Sequence, residues 1–204
     1  MVKFLYGHLL EELVLFLAQE AGHTVEKRQA EIDVEGIKGH IDAVVDGVLV
    51  DIKTANSRGM GKFKDNGLLQ EDPFGYLAQI DFYREGLKDD PAVVSRDTVA
   101  FVAIDKELGH IRLDKYDRRH IPFGKVRQET IARTAMVSSD NVPRRGHFPV
   151  PDGKSGNMML DTQCRYCQFK QECWPGLRTF AYASGPRWLT TIAREPKDVP
   201  EIFD

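Results

Sequence analysis

The dipeptide Asp46-Gly47, set between IKGHIDAVV and VLVDIKT, constrains this chain more than any other feature. Asp-Gly between two alternating runs is the strongest short-range signal for a β-hairpin, because both residues tolerate the positive φ a two-residue turn needs. A two-residue turn sets Val45 opposite Val48, Val44 opposite Leu49, Ala43 opposite Val50 and Asp42 opposite Asp51. His40 then faces Lys53. Side chains alternate with period two. His40, Asp42, Asp51 and Lys53 therefore share one face, and Ile41, Ala43, Val45, Val48, Val50 and Ile52 share the other. The second face is apolar throughout and predicts the core side. On the first, two carboxylates meet with β-carbons ~4.5–5.5 Å apart, a repulsive arrangement. A divalent cation is the natural offset. Two carboxylates and a neighbouring main-chain carbonyl, that of Ile52, are hard oxygen ligands of the kind Mg²⁺ or Mn²⁺ takes. Lys53 sits where an ammonium orients a water or balances phosphate charge. An isolated Asp-x-Lys is usually a surface pair; the acid across the turn sets this one apart.

Around the hairpin the pattern alternates between periods. Leu9, Leu10, Leu13, Val14, Leu17 and Ala21 recur at helical spacing and predict an amphipathic helix over 8–21, stopped at Gly22. Residues 24–54 read as strands. The polar, Gly-rich stretch 56–71 reads as a mobile loop. Asp72-Pro73 supplies an N-cap and a first-turn proline for a helix over 73–86. Residues 98–105 and 110–116 read as two strands, and 121–137 as helical. The Pro- and Gly-rich segment 140–160 reads as irregular, and the tail after the cysteines has no clear period. The order helix, three strands, helix, strands predicts an α/β sheet with helices packed on it.

At 204 residues the chain suits one domain with a small appendage. No apolar run approaches the ~20 residues of a spanning helix. The opening MVKFLYGHLLEELVLF carries two glutamates and no small-residue cleavage site, so it reads as a mature helix rather than a signal peptide. A formal charge of −3 excludes a strongly basic nucleic-acid coat but not a nuclease with acidic ligands and local basic patches. The three cysteines, an odd number, all fall between 164 and 173, which argues against a secreted disulfide framework and for a reducing compartment.

Gly39-His40-Ile41-Asp42 followed by Asp51-Ile52-Lys53 resembles the PD-(D/E)xK nuclease signature, with the usual proline absent. Gln79-Ile80-Asp81-Phe82-Tyr83, on the helix after the hairpin, is similar to the Gln-x-x-x-Tyr motif of the RecB-like branch; Gln79 and Tyr83 lie four apart, on one helix face. The resemblance implies a restriction-endonuclease-like core over 1–140, a mixed sheet flanked by helices, with a cysteine-bearing C-terminal segment over 141–204 packed on it. It implies catalysis by Asp42, Asp51 and Lys53, with Gln79 and Tyr83 guiding a DNA strand or orienting Lys53. It implies a further metal ligand from the first helix, where His8, Glu11 and Glu12 are neighbours and the choice among them stays open. Arg58, Lys62 and Lys64 make the loop at 56–71 a candidate DNA gate.

Cys164-x2-Cys167-x5-Cys173 lies beside Tyr166, Phe169 and Trp174. Its spacing resembles the C-terminal part of the iron–sulfur site of RecB-like exonucleases, including CRISPR-adaptation and viral relatives. Those families draw a fourth cysteine from near the N-terminus, and this chain has none before 164. A 4Fe-4S cluster with a non-cysteine ligand and a Zn²⁺ site completed by His147 both remain open, in either case with a structural role. Arg118, Arg119, Arg144 and Arg145 are weaker candidates for phosphate contact, and Trp174 and Trp188 for base stacking. The implied activity is a stand-alone metal-dependent deoxyribonuclease, exonuclease first, with an endonuclease or junction resolvase and a non-catalytic DNA-binding adaptor as alternatives. DNA is the implied partner, with no membrane association. A small nuclease without a motor domain suits a phage or mobile element acting in the cytoplasm, the host's if viral. The oligomeric state stays open.

Overall fold

The computed structural model describes residues 2–120, 123–139 and 144–202. Residues 121 and 122 of the expected helical stretch, and 140–143 of the expected irregular segment, lie outside the described residues. The chain divides into two compact units, one reaching Asn141 and one beginning at Val142.

In the first unit, helix α1 (Val2–Glu20) starts six residues earlier than its apolar spacing indicated. It ends in a Schellman motif: Gly22, at φ 90°, lets its own amide reach Gln19 and that of His23 reach Ala18. Strands β1 (Val25–Glu26), β2 (Glu31–Val34), β3 (Ile37–His40), β4 (Ala43–Val45) and β5 (Val48–Ala55) follow. After a stretch with two 3₁₀ turns come α2 (Tyr76–Gly86), β6 (Thr98–Asp105), β7 (Ile111–Asp117) and α3 (Phe123–Val137). The main sheet runs β1-β4-β5-β6-β7, and β2 and β3 form a separate ribbon. The β5–β6 pair is parallel and the other pairs are antiparallel, so this is a mixed sheet. A parallel pair needs a crossover, and the segment carrying α2 supplies it.

The turn forms as the sequence indicates. Asp46 (φ 49°) and Gly47 (φ 76°) are both left-handed, and Val45 pairs with Val48, Val44 with Leu49 and Ala43 with Val50. The expectation that one face alone is core needs correction, because β5 is a central strand buried on both sides. Ala43, Val50 and Ile52 pack with Val14, Leu15, Ala100 and Ile104 on the α1 side. Val44 and Leu49 join a larger cluster with Leu77, Ile80, Phe101 and Tyr116 on the α2 side. His40 does not face Lys53; it lies in β3, paired with Glu31. The chain leaves the ladder between them, where Ile41 N bonds Ala30 O and the Asp42 carbonyl accepts from Gln29 N.

Helix α2 begins at Tyr76, three residues after Pro73, yet the Asp72 carboxylate caps it, accepting from Tyr76 N and Leu77 N at 2.9 Å each. The stretch 56–71 is less loose than its glycines indicated. Met60, Phe63 and Leu68 are buried in the larger cluster, and Arg112 Nη1 donates to Met60 O at 2.7 Å.

The second unit holds a five-stranded antiparallel sheet that the sequence reading did not anticipate. Its strands are β8 (Val150–Pro151), β9 (Met158–Met159), β10 (Arg178–Tyr182), β11 (Gly185–Thr191) and β12 (Glu201–Ile202), ordered β12-β10-β11-β9-β8. Short helices α4 (Thr162–Arg165) and α5 (Lys170–Cys173) lie between β9 and β10. Leu160, Leu177, Phe180 and Leu189 are buried there. No helix among the described residues is long and apolar enough to cross a membrane.

Candidate active site

Alternation along β5 points Asp51 and Lys53 to the α2 side with Leu49. Asp51 is 2% exposed. Lys53 Nζ stands 2.6 Å from Asp51 Oδ2 and donates to Gln79 Oε1 at 3.2 Å. Gln79 Nε2 donates to Tyr83 Oη at 2.8 Å. The spacing of four between Gln79 and Tyr83 thus extends the Lys53 contact along α2 as a polar chain. The Tyr76 ring lies beneath the Lys53 ammonium, 4.8 Å from it to the centroid. Tyr76 was not singled out from sequence, although it stands three residues before Gln79 on the same helix. Gly39 of β3 completes the wall: a β-carbon there would sit 2.8 Å from Tyr83 Cε1.

Asp42 arrives from the other strand. Its Oδ2 accepts from Ile52 N at 2.6 Å, which fixes the carboxylate across the strand from the Asp51–Lys53 pair. The turn itself is held by Asp46, which accepts from Thr24 N at 2.9 Å and meets His23 Nδ1 at 2.7 Å. That couples the end of α1 to the hairpin. Further up α1, Glu11 Oε1 accepts from Gln29 Nε2 in the segment joining β1 and β2. His8 lies beside it, Nδ1 3.7 Å from Glu11 Oε2, with its side chain 72% exposed. Glu12 pairs with Arg28 in the same segment, with its side chain 53% exposed.

The electrostatics tie these groups together. Burial pushes the Asp51 carboxyl up to about 7; Asp42 and Glu11 push it further and Lys53 opposes them. Burial also raises Asp42, against the Ile52 amide, and raises Glu11, helped by Asp42. Burial alone would lower Lys53, but Asp51 and Asp42 outweigh it and the net direction is up. Burial raises the Tyr83 hydroxyl despite its bond from Gln79. Three carboxylates are thus each driven toward neutrality around one firmly protonated ammonium.

A divalent cation would answer that excess of negative charge, since the donors are hard oxygens. Among the described residues no three His, Cys, Asp or Glu side chains stand grouped as a ready-made metal cage. Mg²⁺ commonly binds through only one or two carboxylates and keeps several waters, so Asp42, Asp51 and the Ile52 carbonyl fit it as a donor set.

Of the loop cations, Lys62 pairs with Glu71 at 3.6 Å and lies over the Phe74 ring, while Lys64 pairs with Asp65 at 3.6 Å. Arg58 precedes the first 3₁₀ turn. Arg118 binds Asp81 and Arg119 binds Asp117.

In the second unit Cys164, Cys167 and Cys173 are free thiols, set on α4, just after it, and at the end of α5. The Cys167 amide donates to Cys164 O at 3.2 Å. Burial pushes the Cys164 thiol up, with Asp161 and the other two cysteines adding to it. His147 pairs with Asp161, Nδ1 to Oδ2 3.2 Å. Arg145 stacks on Trp174, and Lys170 lies over Trp188.

No protein-family model and no curated protein matches the sequence. Among solved structures, the crystal structure of SSO0001 is similar over 83% of this chain and 69% of its own, at 18% identity and a TM-score of 0.39.

Proposed function

We propose that the chain is a Mg²⁺- or Mn²⁺-dependent deoxyribonuclease with a restriction-endonuclease-like core, acting as an exonuclease on DNA phosphodiester bonds in the cytoplasm. The observation that carries this reading is the convergence of Asp42, a buried Asp51 and Lys53 from one hairpin, with Gln79 hydrogen-bonded to that lysine and Tyr83 to Gln79. Asp42, Asp51 and the Ile52 carbonyl would hold the cation, with Glu11 rather than Glu12 contributing from α1. Bound there, such a cation lowers the pKa of a water and neutralises phosphate charge.

Lys53 stays protonated beside two carboxylates, so it serves as a fixed cation that places the water or the scissile phosphate, not as a proton acceptor. Gln79 pins the ammonium with its amide oxygen and donates through its amide nitrogen to Tyr83, whose hydroxyl marks the strand's path. Arg58, Lys62 and Lys64 supply phosphate contacts at the edge of the site. The three thiols of the second unit suit a 4Fe-4S cluster or Zn²⁺, with His147 or another non-cysteine fourth ligand, in a structural role.

End-labelled linear and closed circular DNA, incubated with Mn²⁺ or with EDTA, test the proposal. The parent degrades the linear substrate in Mn²⁺ and spares the circle. Asp51→Asn and Lys53→Ala each lose roughly 10²-fold or more of that activity while still retarding DNA in a gel. Cutting of the circle reassigns the chain to the endonucleases of the same fold. If both variants cut like the parent, or the parent binds DNA and never cuts it, the site is misassigned.

A further inference from the structure

Helix α2 carries a second charged group on the face opposite Gln79 and Tyr83. Arg84 is 3% exposed, and its Nε is sealed from solvent without a hydrogen-bond partner. Its side chain makes no ion pair or hydrogen bond among the described residues. A guanidinium stays charged at any pH a protein meets, so burial does not relieve it by deprotonation. The two acids beside it are already engaged. Asp81 accepts from Arg118 Nε at 3.2 Å and Nη2 at 2.5 Å, and from Arg127 Nη2 at 3.5 Å. Glu85 pairs with Arg127 at 3.0 Å and Lys88 at 3.4 Å. Arg96 lies alongside, its carbonyl accepting from Arg118 Nη1 at 3.4 Å and its guanidinium donating to the Lys88 carbonyl. Burial lowers Arg84; Arg118 and Arg96 act in the same direction, and Glu85 and Asp81 oppose them without reversing the shift. Arg118 and Arg127 occupy the two carboxylates, Arg96 donates to the Lys88 carbonyl, and Arg84, the most buried of the four, is left over.

We propose that Arg84, with Arg96, Arg118 and Arg127, forms an anion site that takes a phosphate group, either free phosphate or a phosphate of a nucleic-acid backbone. A buried charge is tolerated when a counter-charge with matching hydrogen-bond geometry completes it. The planar fork of a guanidinium fits the oxygens of phosphate and makes poor use of a spherical anion such as chloride. The site stands apart from Asp51 and Lys53, so it does not depend on the nuclease reading.

Thermal unfolding in EDTA, in phosphate against chloride at matched ionic strength, is the test. At a phosphate concentration ten times its Kd the parent's Tm rises by roughly 3–5 °C. Phosphate also stabilises proteins by general exclusion, so the variant Arg84→Met decides. That variant loses the rise, and in chloride it melts no lower than the parent, because the charge it removes had no partner. Calorimetric titration of phosphate into the parent and into Arg127→Gln keeps the test alive should Arg84→Met not fold: the parent binds and the variant binds at least several-fold more weakly. A short single-stranded oligonucleotide in EDTA identifies the source. Competition with phosphate assigns the site to nucleic-acid backbone; phosphate binding indifferent to the oligonucleotide assigns it to free phosphate. Equal Tm of the parent in the two salts, or an undiminished rise in Arg84→Met, overturns the proposal.

Discussion

The residue with most at stake is Asp51, whose place beside Lys53 on one strand face follows from alternation along β5. A two-residue turn and a period of two set it on one face with Lys53; Asp42 lies beyond the last ladder pair, Ala43 with Val50, and is held by the Ile52 amide instead. The choice among His8, Glu11 and Glu12 was not legible, because it turns on partners remote in sequence: Gln29 holds Glu11 near the acids and Arg28 pairs with Glu12. His40 lies away from Lys53 because the β4–β5 ladder ends at Ala43, beyond which the chain bonds to Ala30 and Gln29 instead. The Asp51 carboxyl, raised from 3.8 to about 7, gives a stability prediction whose sign can be worked out. The folded state holds this proton more tightly than the unfolded chain does. Its contribution is therefore fully present below about pH 4 and is lost as pH rises toward about 7. Asp51→Asn removes that dependence. In EDTA, urea unfolding should show the variant gaining on the parent between about pH 5 and about pH 8, by on the order of 1–3 kcal/mol. Mn²⁺ added above pH 7 should raise the parent's Tm and leave the variant's unchanged. A gap between the two that stays constant with pH would show Asp51 to be ionised throughout.

Among elements, those with a strong period or an unmistakable turn were legible: α1, the β4–β5 hairpin, β6 and β7. The β2–β3 ribbon was not, although its turn obeys the same physics, with Glu35 at φ 54° and Gly36 at φ 79°. Glutamate is a poor advertisement for a left-handed position, and the flanking strands are four residues each. The stretch 56–71 concealed its anchors because Met60, Phe63 and Leu68 follow no single period. That ribbon has a direct bearing on the site through Gly39. A methyl group there meets the Tyr83 ring, a side chain able to swing away, and not a fixed backbone. Gly39→Ala should thus keep the fold while detaching Tyr83 from Gln79. Circular dichroism should be unchanged and cleavage reduced by roughly 10-fold, close to the loss caused by Tyr83→Phe. A variant that cuts at the parent's rate would remove Tyr83 from the strand's path.

For the whole molecule, the first unit's class was readable and the second unit's sheet was not. Three of its five strands are two residues long, too short for alternation to register. Only the cysteines drew attention to it, and their spacing suggests a metal site without indicating a sheet. The expected outcome is that protein purified without chelator carries iron or about one zinc per chain, with absorption near ~400 nm in the first case and none in the second. Cys167→Ala should lose the metal and lower Tm by several degrees; elemental analysis finding neither metal would leave three plain thiols. In the first unit, topology and chemistry are joined more closely. A parallel neighbour for β5 obliges the chain to travel over the sheet before β6 can dock, and α2 is that journey. The helix bringing Gln79 and Tyr83 to Lys53 is therefore the one the strand order already requires. A chain that completes its sheet has, by the same act, delivered its polar pair, so an error in assembly leaves Lys53 without it.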